Sequence, residues 1–102
     1  MKMRFYETCL ILRPKLAPEE ADQVAEKIQN MVRETGGVIA KVDSWGKRRL
    51  AYTIDKEKEG FYYFLRFSQD PGKISEMKRQ LKLMPEVLRF MIFKMEQGGN
   101  GA

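Results

Sequence analysis

At 102 residues the chain has room for one hydrophobic core and not for two. Hydrophobic residues at 43%, aromatics at 11% and charged residues at 32% make a folding composition, too apolar and aromatic for an intrinsically disordered chain. The 19 Lys and Arg outnumber the 14 Asp and Glu for a net charge of +5, a bias toward nucleic acid or an acidic surface that is also ordinary for solubility.

A single cysteine, Cys9, rules out a disulfide framework, and it reads as a small half-buried hydrophobe within a strand pattern. The chain has no histidine, so the commonest general base, the commonest metal ligand and every Cys/His nucleophile pair are excluded. No window is long and apolar enough for a membrane span, and the opening residues carry no signal-peptide cleavage pattern. The expectation is a protein of the cytosol or of an organelle's interior.

Residues 3–12 (MRFYETCLIL) run straight into Arg13 and Pro14 and are apolar on both faces, which predicts a central strand. Pro18 then suits a first helical position, followed by Glu19 and Glu20 where the helix dipole favours negative charge. Ala21, Val24, Ala25, Ile28, Met31 and Val32 repeat at three and four residues as one buried stripe, and Gly36 and Gly37 end the helix.

Residues 38–54 read as a long second strand. Val38, Ala40, Val42, Leu50, Tyr52 and Ile54 would share one face, and Lys41, Asp43, Trp45, Lys47 and Arg49 the other. A bulge at Gly46 would reverse that parity on one side of it. Residues 55–60 (DKEKEG) read as a charged hairpin loop, and 61–67 (FYYFLRF) as a third strand with Phe61, Tyr63, Leu65 and Phe67 on its apolar face. Asp70 and Pro71 then cap and start a second helix that buries Ile74, Met77, Leu81 and Met84 and stops at Pro85. Residues 87–95 (VLRFMIFKM) make the last strand, with Leu88, Phe90 and Ile92 on one face and Arg89, Met91 and Phe93 on the other. The domain spans 1–96, and the glycine-rich 97–102 reads as a frayed tail.

The order β-α-β-β-α-β predicts an α+β, ferredoxin-like fold, a four-stranded antiparallel sheet with two helices on one face. Right-handed crossovers place the first and third strands centrally, so the second strand is an edge. On that edge lies 45–52 (WGKRRLAY), three consecutive cations with aromatics in a strand pattern, which suits a partner-facing surface. The sheet face without helices would show Trp45, Tyr62, Phe64 and Phe93 among Arg49, Arg66 and Arg89. Exposed sheet aromatics stack bases or meet another protein. FYYFLRF lacks the glycine-aromatic core of a base-stacking RNP motif, which favours the protein partner. Lys47, Arg48 and Arg49 suit phosphate contact, and equally suit an edge guarded by charge. Acidic residues fall at helix starts and turns, with no catalytic pair, phosphate-cradling loop or metal-ligand spacing, so no enzyme, cofactor, metal or small-molecule substrate is expected.

Arg4, Phe5, Tyr6 and Glu7 ahead of an apolar strand resemble the RYE opening of the bacterial small-subunit ribosomal protein six family. Residues 46–56 (GKRRLAYTIDK) resemble that family's G-x-R-R-L-A-Y-x-I-x-K pattern. Gly60, Phe61 and Tyr62, with Val87, Leu88 and Arg89, extend the likeness over residues 4–95. Phe5 departs from it, standing where the family carries a polar residue, and the tail is short. The resemblance implies a non-catalytic component of the small ribosomal subunit, in the bacterial cytoplasm or on an organellar ribosome. It implies pairing with small-subunit ribosomal protein eighteen and binding, as a pair, to the central domain of the small-subunit rRNA. Contact with RNA near the first and fourth strands, and with the partner along the second, follows from the same likeness. Together with the residue reading, the expected RNA-facing set is Lys2, Arg4, Lys47, Arg89 and Lys94. The expected partner-facing set is Trp45, Arg48, Arg49, Leu50, Tyr62 and Phe64. The rival is a ferredoxin-like module that self-associates through its sheet and binds a ligand there.

Overall fold

The largely apolar runs 4–12 and 61–67 are realised as two neighbouring central strands, around which the rest of the sheet is laid. The computed structural model describes residues 3–95, so Lys2 and the 97–102 tail lie outside the described residues. Its elements are β1 (Arg4–Leu12), α1 (Pro18–Glu34), β2 (Val38–Ile54), β3 (Glu57–Gln69), a 3-10 turn (Pro71–Lys73), α2 (Ile74–Leu83) and β4 (Val87–Lys94). The strands form one antiparallel sheet in the order β2-β3-β1-β4. With β1 and β3 central and β2 and β4 at the edges, the fold is the expected α+β, ferredoxin-like one.

Residues paired across an antiparallel ladder share a face. Tyr6, Thr8, Leu10 and Leu12 of β1 lie opposite Phe67, Leu65, Tyr63 and Phe61 of β3, and all eight are buried. Ala21, Ala25, Ile28 and Val32 of α1 and Ile74, Met77 and Leu81 of α2 close over this face to complete the core. The Tyr63 hydroxyl donates to Asp22 Oδ1 at 2.7 Å, pinning α1 to the sheet. Burial, and then the bond to Asp22, push the Tyr63 pKa well above the ordinary phenol value.

The helix ends follow their local chemistry. Ala17 offers no capping oxygen, so the Glu20 carboxylate turns back to accept from the Ala17 N–H at 2.8 Å. Gly36, at φ +94°, takes the left-handed position past the end of α1, and the Gly37 N–H reaches back to the Val32 carbonyl. Asp70 accepts from the Gly72 N–H at 3.1 Å. The first turn behind it is 3-10, and the α-helix proper begins at Ile74.

The edge strands depart from the expected regular alternation. The 55–60 loop shrinks to a two-residue turn, because Asp55 and Lys56 both take positive φ and β3 resumes at Glu57. Along β2 the register shifts around Ala40 and Trp45 and again between Arg49 and Ile54. Ile39 and Val42 consequently face the helices opposite Phe67 and Leu65, while Val38, opposite Ser68, is turned away and 60% exposed. In β4 a shift at Leu88 sets Val87 opposite Leu12 on the core side. Leu88 leaves the face it was expected to share with Phe90 and Ile92 and lies beside Ile11 and Gly60 on the sheet's other side.

Candidate RNA and partner surface

The sheet face opposite the helices carries rows that follow directly from strand register. Asp43, Phe64, Cys9 and Met91 form one row across all four strands, and Lys41, Arg66, Glu7 and Phe93 form the next. The Trp45 ring lies 4.7 Å from that of Phe64, and Phe5, Met91 and Phe93 are exposed beside them. Tyr62 sits in the adjoining row, opposite Ile11, with Arg89 on its far side. Glu7 pairs with Arg66 at 3.6 Å. Burial, and secondarily the Glu7 carboxylate, raise the Cys9 pKa, so its thiol stays protonated and behaves as an apolar surface atom at neutral pH.

Gly46, at φ +74°, is where β2 changes parity. Before it, Lys41 and Asp43 share the open face; after it, Lys47 is opposite Phe61 and Arg48 opposite Gly60. Lys47 thus turns to the helix side, its Nζ 5.3 Å from the Phe61 ring centre. Arg48 turns to the open side, where its guanidinium carbon lies 5.2 Å from the Trp45 ring centre and its Nε donates to the Trp45 carbonyl at 3.0 Å. The open-face arginine on β2 is therefore Arg48 rather than Arg49, which sits opposite Glu59 on the reverse parity.

Beyond Arg49 the strand makes a large bulge. Leu50, Ala51, Tyr52 and Thr53 separate Arg49 from Ile54, whereas Lys58 alone separates their partners Glu59 and Glu57. Leu50 is only 8% exposed, which anchors the bulge. Tyr52 swings the other way, 61% exposed, and accepts a 2.8 Å hydrogen bond from Arg89 Nη1. Arg13, just past β1, secures the same region by bonding Asp55 at 2.8 Å and the Pro85 carbonyl at 2.8 Å. Neither Tyr52 nor Arg13 was among the expected site residues. Tyr52 lay within the quoted motif, but its reach to β4 depends on a bulge that leaves no mark on the local pattern.

Placement divides the expected cations into groups. Lys94 is opposite Tyr6, with Arg4 two residues along the same face of β1, so the two are diagonal neighbours at one end of the β1–β4 ladder. Arg89 is opposite Ile11, near the ladder's other end and on the open face. Lys47 lies on the opposite edge of the sheet, so the set does not converge on one patch. Arg13, Arg33, Arg66 and Arg79 each pair with a carboxylate. Among the described residues Arg4, Arg48, Arg49 and Arg89 pair with none, which leaves their charge available to an anion. No group of three or more acid or cysteine side chains able to hold a metal occurs among the described residues.

The comparisons with known proteins concern the family and the fold. Residues 5–94 match the model of the ribosomal protein S6 family. The chain is 42% identical over 95 residues to the small ribosomal subunit protein bS6 of Thermoanaerobacter pseudethanolicus, covering 93% of this chain and 100% of that protein. It is 39% identical over 95 residues to bS6 of Heliobacterium modesticaldum, covering 93% and 99%. The crystal structure of 30S ribosomal protein S6 from Thermotoga maritima superposes with a TM-score of 0.86 at 32% identity, over 91% of this chain and 88% of that one. The C-terminal domain of the Mycobacterium tuberculosis MgtC protein, 13% identical with a TM-score of 0.63, shares the fold alone. By sequence over nearly its whole described length and by fold, the chain belongs to the ribosomal protein S6 family, structural and non-enzymatic components of the small ribosomal subunit.

Proposed function

We propose that this protein binds the central domain of the small-subunit rRNA as a heterodimer with small-subunit ribosomal protein eighteen, on the bacterial cytoplasmic ribosome. The observation that carries the reading is the contrast among the arginines. Four are neutralised by carboxylates, and Arg4, Arg48, Arg49 and Arg89 are not, among the described residues. A guanidinium without a carboxylate is free to match phosphate oxygens in a two-pronged contact.

RNA helices expose phosphates and 2′-hydroxyls at positions set by their A-form shape, so a rigid sheet with fixed cations is sufficient to grip them. Arg4 and Lys94, on the helix side at one end of β1–β4, and Arg89, on the open side at the other, are the cations this reading gives to RNA along that edge of the sheet, and Lys2 and Lys47 are assigned to RNA from the sequence. Phe64 and Met91 of one row, with the Trp45 ring against Phe64, Tyr62 in the adjoining row and Arg48 laid over Trp45, are the partner-facing side. Such apolar area is costly to leave in water and favours a protein cover. Arg49 and Leu50 are assigned to the partner from the sequence, Arg49 on the reverse parity of the same edge strand and Leu50 as the buried anchor of its bulge.

A salt titration of binding to a central-domain rRNA fragment, with and without protein eighteen, tests the reading. Binding is expected to be weak for the isolated protein and strong for the pair. With about four phosphate contacts, affinity should fall roughly a hundredfold between ~50 and ~200 mM salt. Tight binding by the isolated protein that ignores salt would overturn it, as would a homodimer without RNA affinity.

A further inference from the structure

We propose that Tyr52 is a positioning residue that holds the Arg89 guanidinium in one orientation for an RNA phosphate. This rests on the reading above that Arg89 faces RNA. Tyr52 belongs to β2 and Arg89 to β4, the two opposite edges of the sheet, with β3 and β1 between them. Regular pairing would never bring the two together. They meet because the Leu50–Thr53 bulge, anchored by buried Leu50, carries Tyr52 toward the start of β4.

The contact is specific in two ways. Arg89 Nη1 donates to the Tyr52 hydroxyl at 2.8 Å, and the guanidinium carbon lies 5.8 Å from the Tyr52 ring centre. Tyr52 is 61% exposed, so the contact is not core packing. A free arginine side chain loses much rotamer entropy on binding, and fixing its plane beforehand removes part of that loss.

The chemistry of the holding group matters as much as its position. A carboxylate would orient Arg89 and also cancel its charge, as Glu7 does for Arg66 and Asp55 for Arg13. Tyrosine orients without cancelling. Arg48 is held in the same way, with the Trp45 ring at 5.2 Å and the neutral Trp45 carbonyl at 3.0 Å. Two of the arginines that no carboxylate neutralises are thus each fixed by an aromatic ring and an uncharged oxygen. The device also joins the partner-facing hairpin of β2 and β3 to the RNA-facing strand β4.

The test uses the full chain with protein eighteen and a central-domain rRNA fragment, reading Kd and its salt slope. Arg89→Ala should weaken RNA binding about tenfold and lower the salt slope by about one. Tyr52→Phe, which keeps the ring and loses the hydroxyl, should weaken binding about threefold and move the slope toward that of Arg89→Ala. Thermal midpoint and heterodimer affinity of Tyr52→Phe should match the wild type. The double variant should bind no worse than Arg89→Ala alone, because a positioning residue has nothing left to position. Wild-type RNA binding by Tyr52→Phe, or losses that multiply in the double variant, would refute the positioning role while leaving Arg89 as an RNA contact. If Arg89→Ala bound RNA as the wild type does, the RNA role of Arg89 and the positioning role would both fall.

Discussion

Thr8 sits at the centre of β1 between Leu65 and Ile92, fully buried, and its Oγ1 has no hydrogen-bond partner. A hydroxyl removed from water without a partner costs roughly 1–3 kcal/mol, and valine has the same β-branched shape. Thr8→Val is therefore expected to raise unfolding stability by about 1 kcal/mol. Urea denaturation at neutral pH would measure it, and a loss of stability would mean that the hydroxyl is bonded in solution. Gln69 shows the opposite case. It is buried too, but its amide bonds the Val32 carbonyl and the Thr35 hydroxyl and accepts from the Asp70 N–H, closing the end of α1. At this scale the buried alternation of β1 and β3 was legible, since one residue type in every two is apolar and large. Which arginines lack a carboxylate was not, because pairing partners such as Arg13 and Asp55 are 42 residues apart.

The elements were legible in number, kind and order, because each helix announces itself by a proline at its start and a repeat of three and four, and each strand by its bounds. What escaped was the irregularity of the two edge strands. A bulge is a mismatch between two strands, and the sequence of one strand carries no count of the residues opposite it. Gly46 gave a hint through its freedom of φ, whereas Leu50–Thr53 and Leu88 gave none. The hairpin turn makes the point testable. Asp55 and Lys56 occupy left-handed backbone at φ 53° and 68°, a conformation that costs a non-glycine residue roughly 1–2 kcal/mol. Lys56→Gly keeps Asp55 for its bond to Arg13 and removes one of the two costs. Glycine's greater freedom in the unfolded chain offsets part of that gain. The net expectation is about 0.5 kcal/mol of added stability, read as a small rise in thermal midpoint. A fall would show that the turn differs in solution.

At the scale of the whole molecule the two faces of the sheet differ in burial. The helices cover one face of the sheet, where Phe67 is 1% exposed and stacks at 5.6 Å on Tyr6. The other face leaves Trp45 51% exposed against Phe64. A substitution on each face should therefore fail in a different assay. Phe67→Ala opens a cavity in the core and should cost about 3–5 kcal/mol of stability, enough to lower the thermal midpoint by more than about 10 °C. Trp45→Ala removes one exposed aromatic contact, worth about 1 kcal/mol of fold stability or less. The same change should weaken the proposed complex with protein eighteen by about thirtyfold or more, since a tryptophan anchor on an apolar interface is the usual centre of binding energy. Calorimetric titration of the two proteins would measure it. Unchanged affinity in Trp45→Ala would mean that the partner is not anchored on Trp45 and would count against this face as its seat. A stability loss as large as that of Phe67→Ala would mean that Trp45 is packed as part of the core in solution.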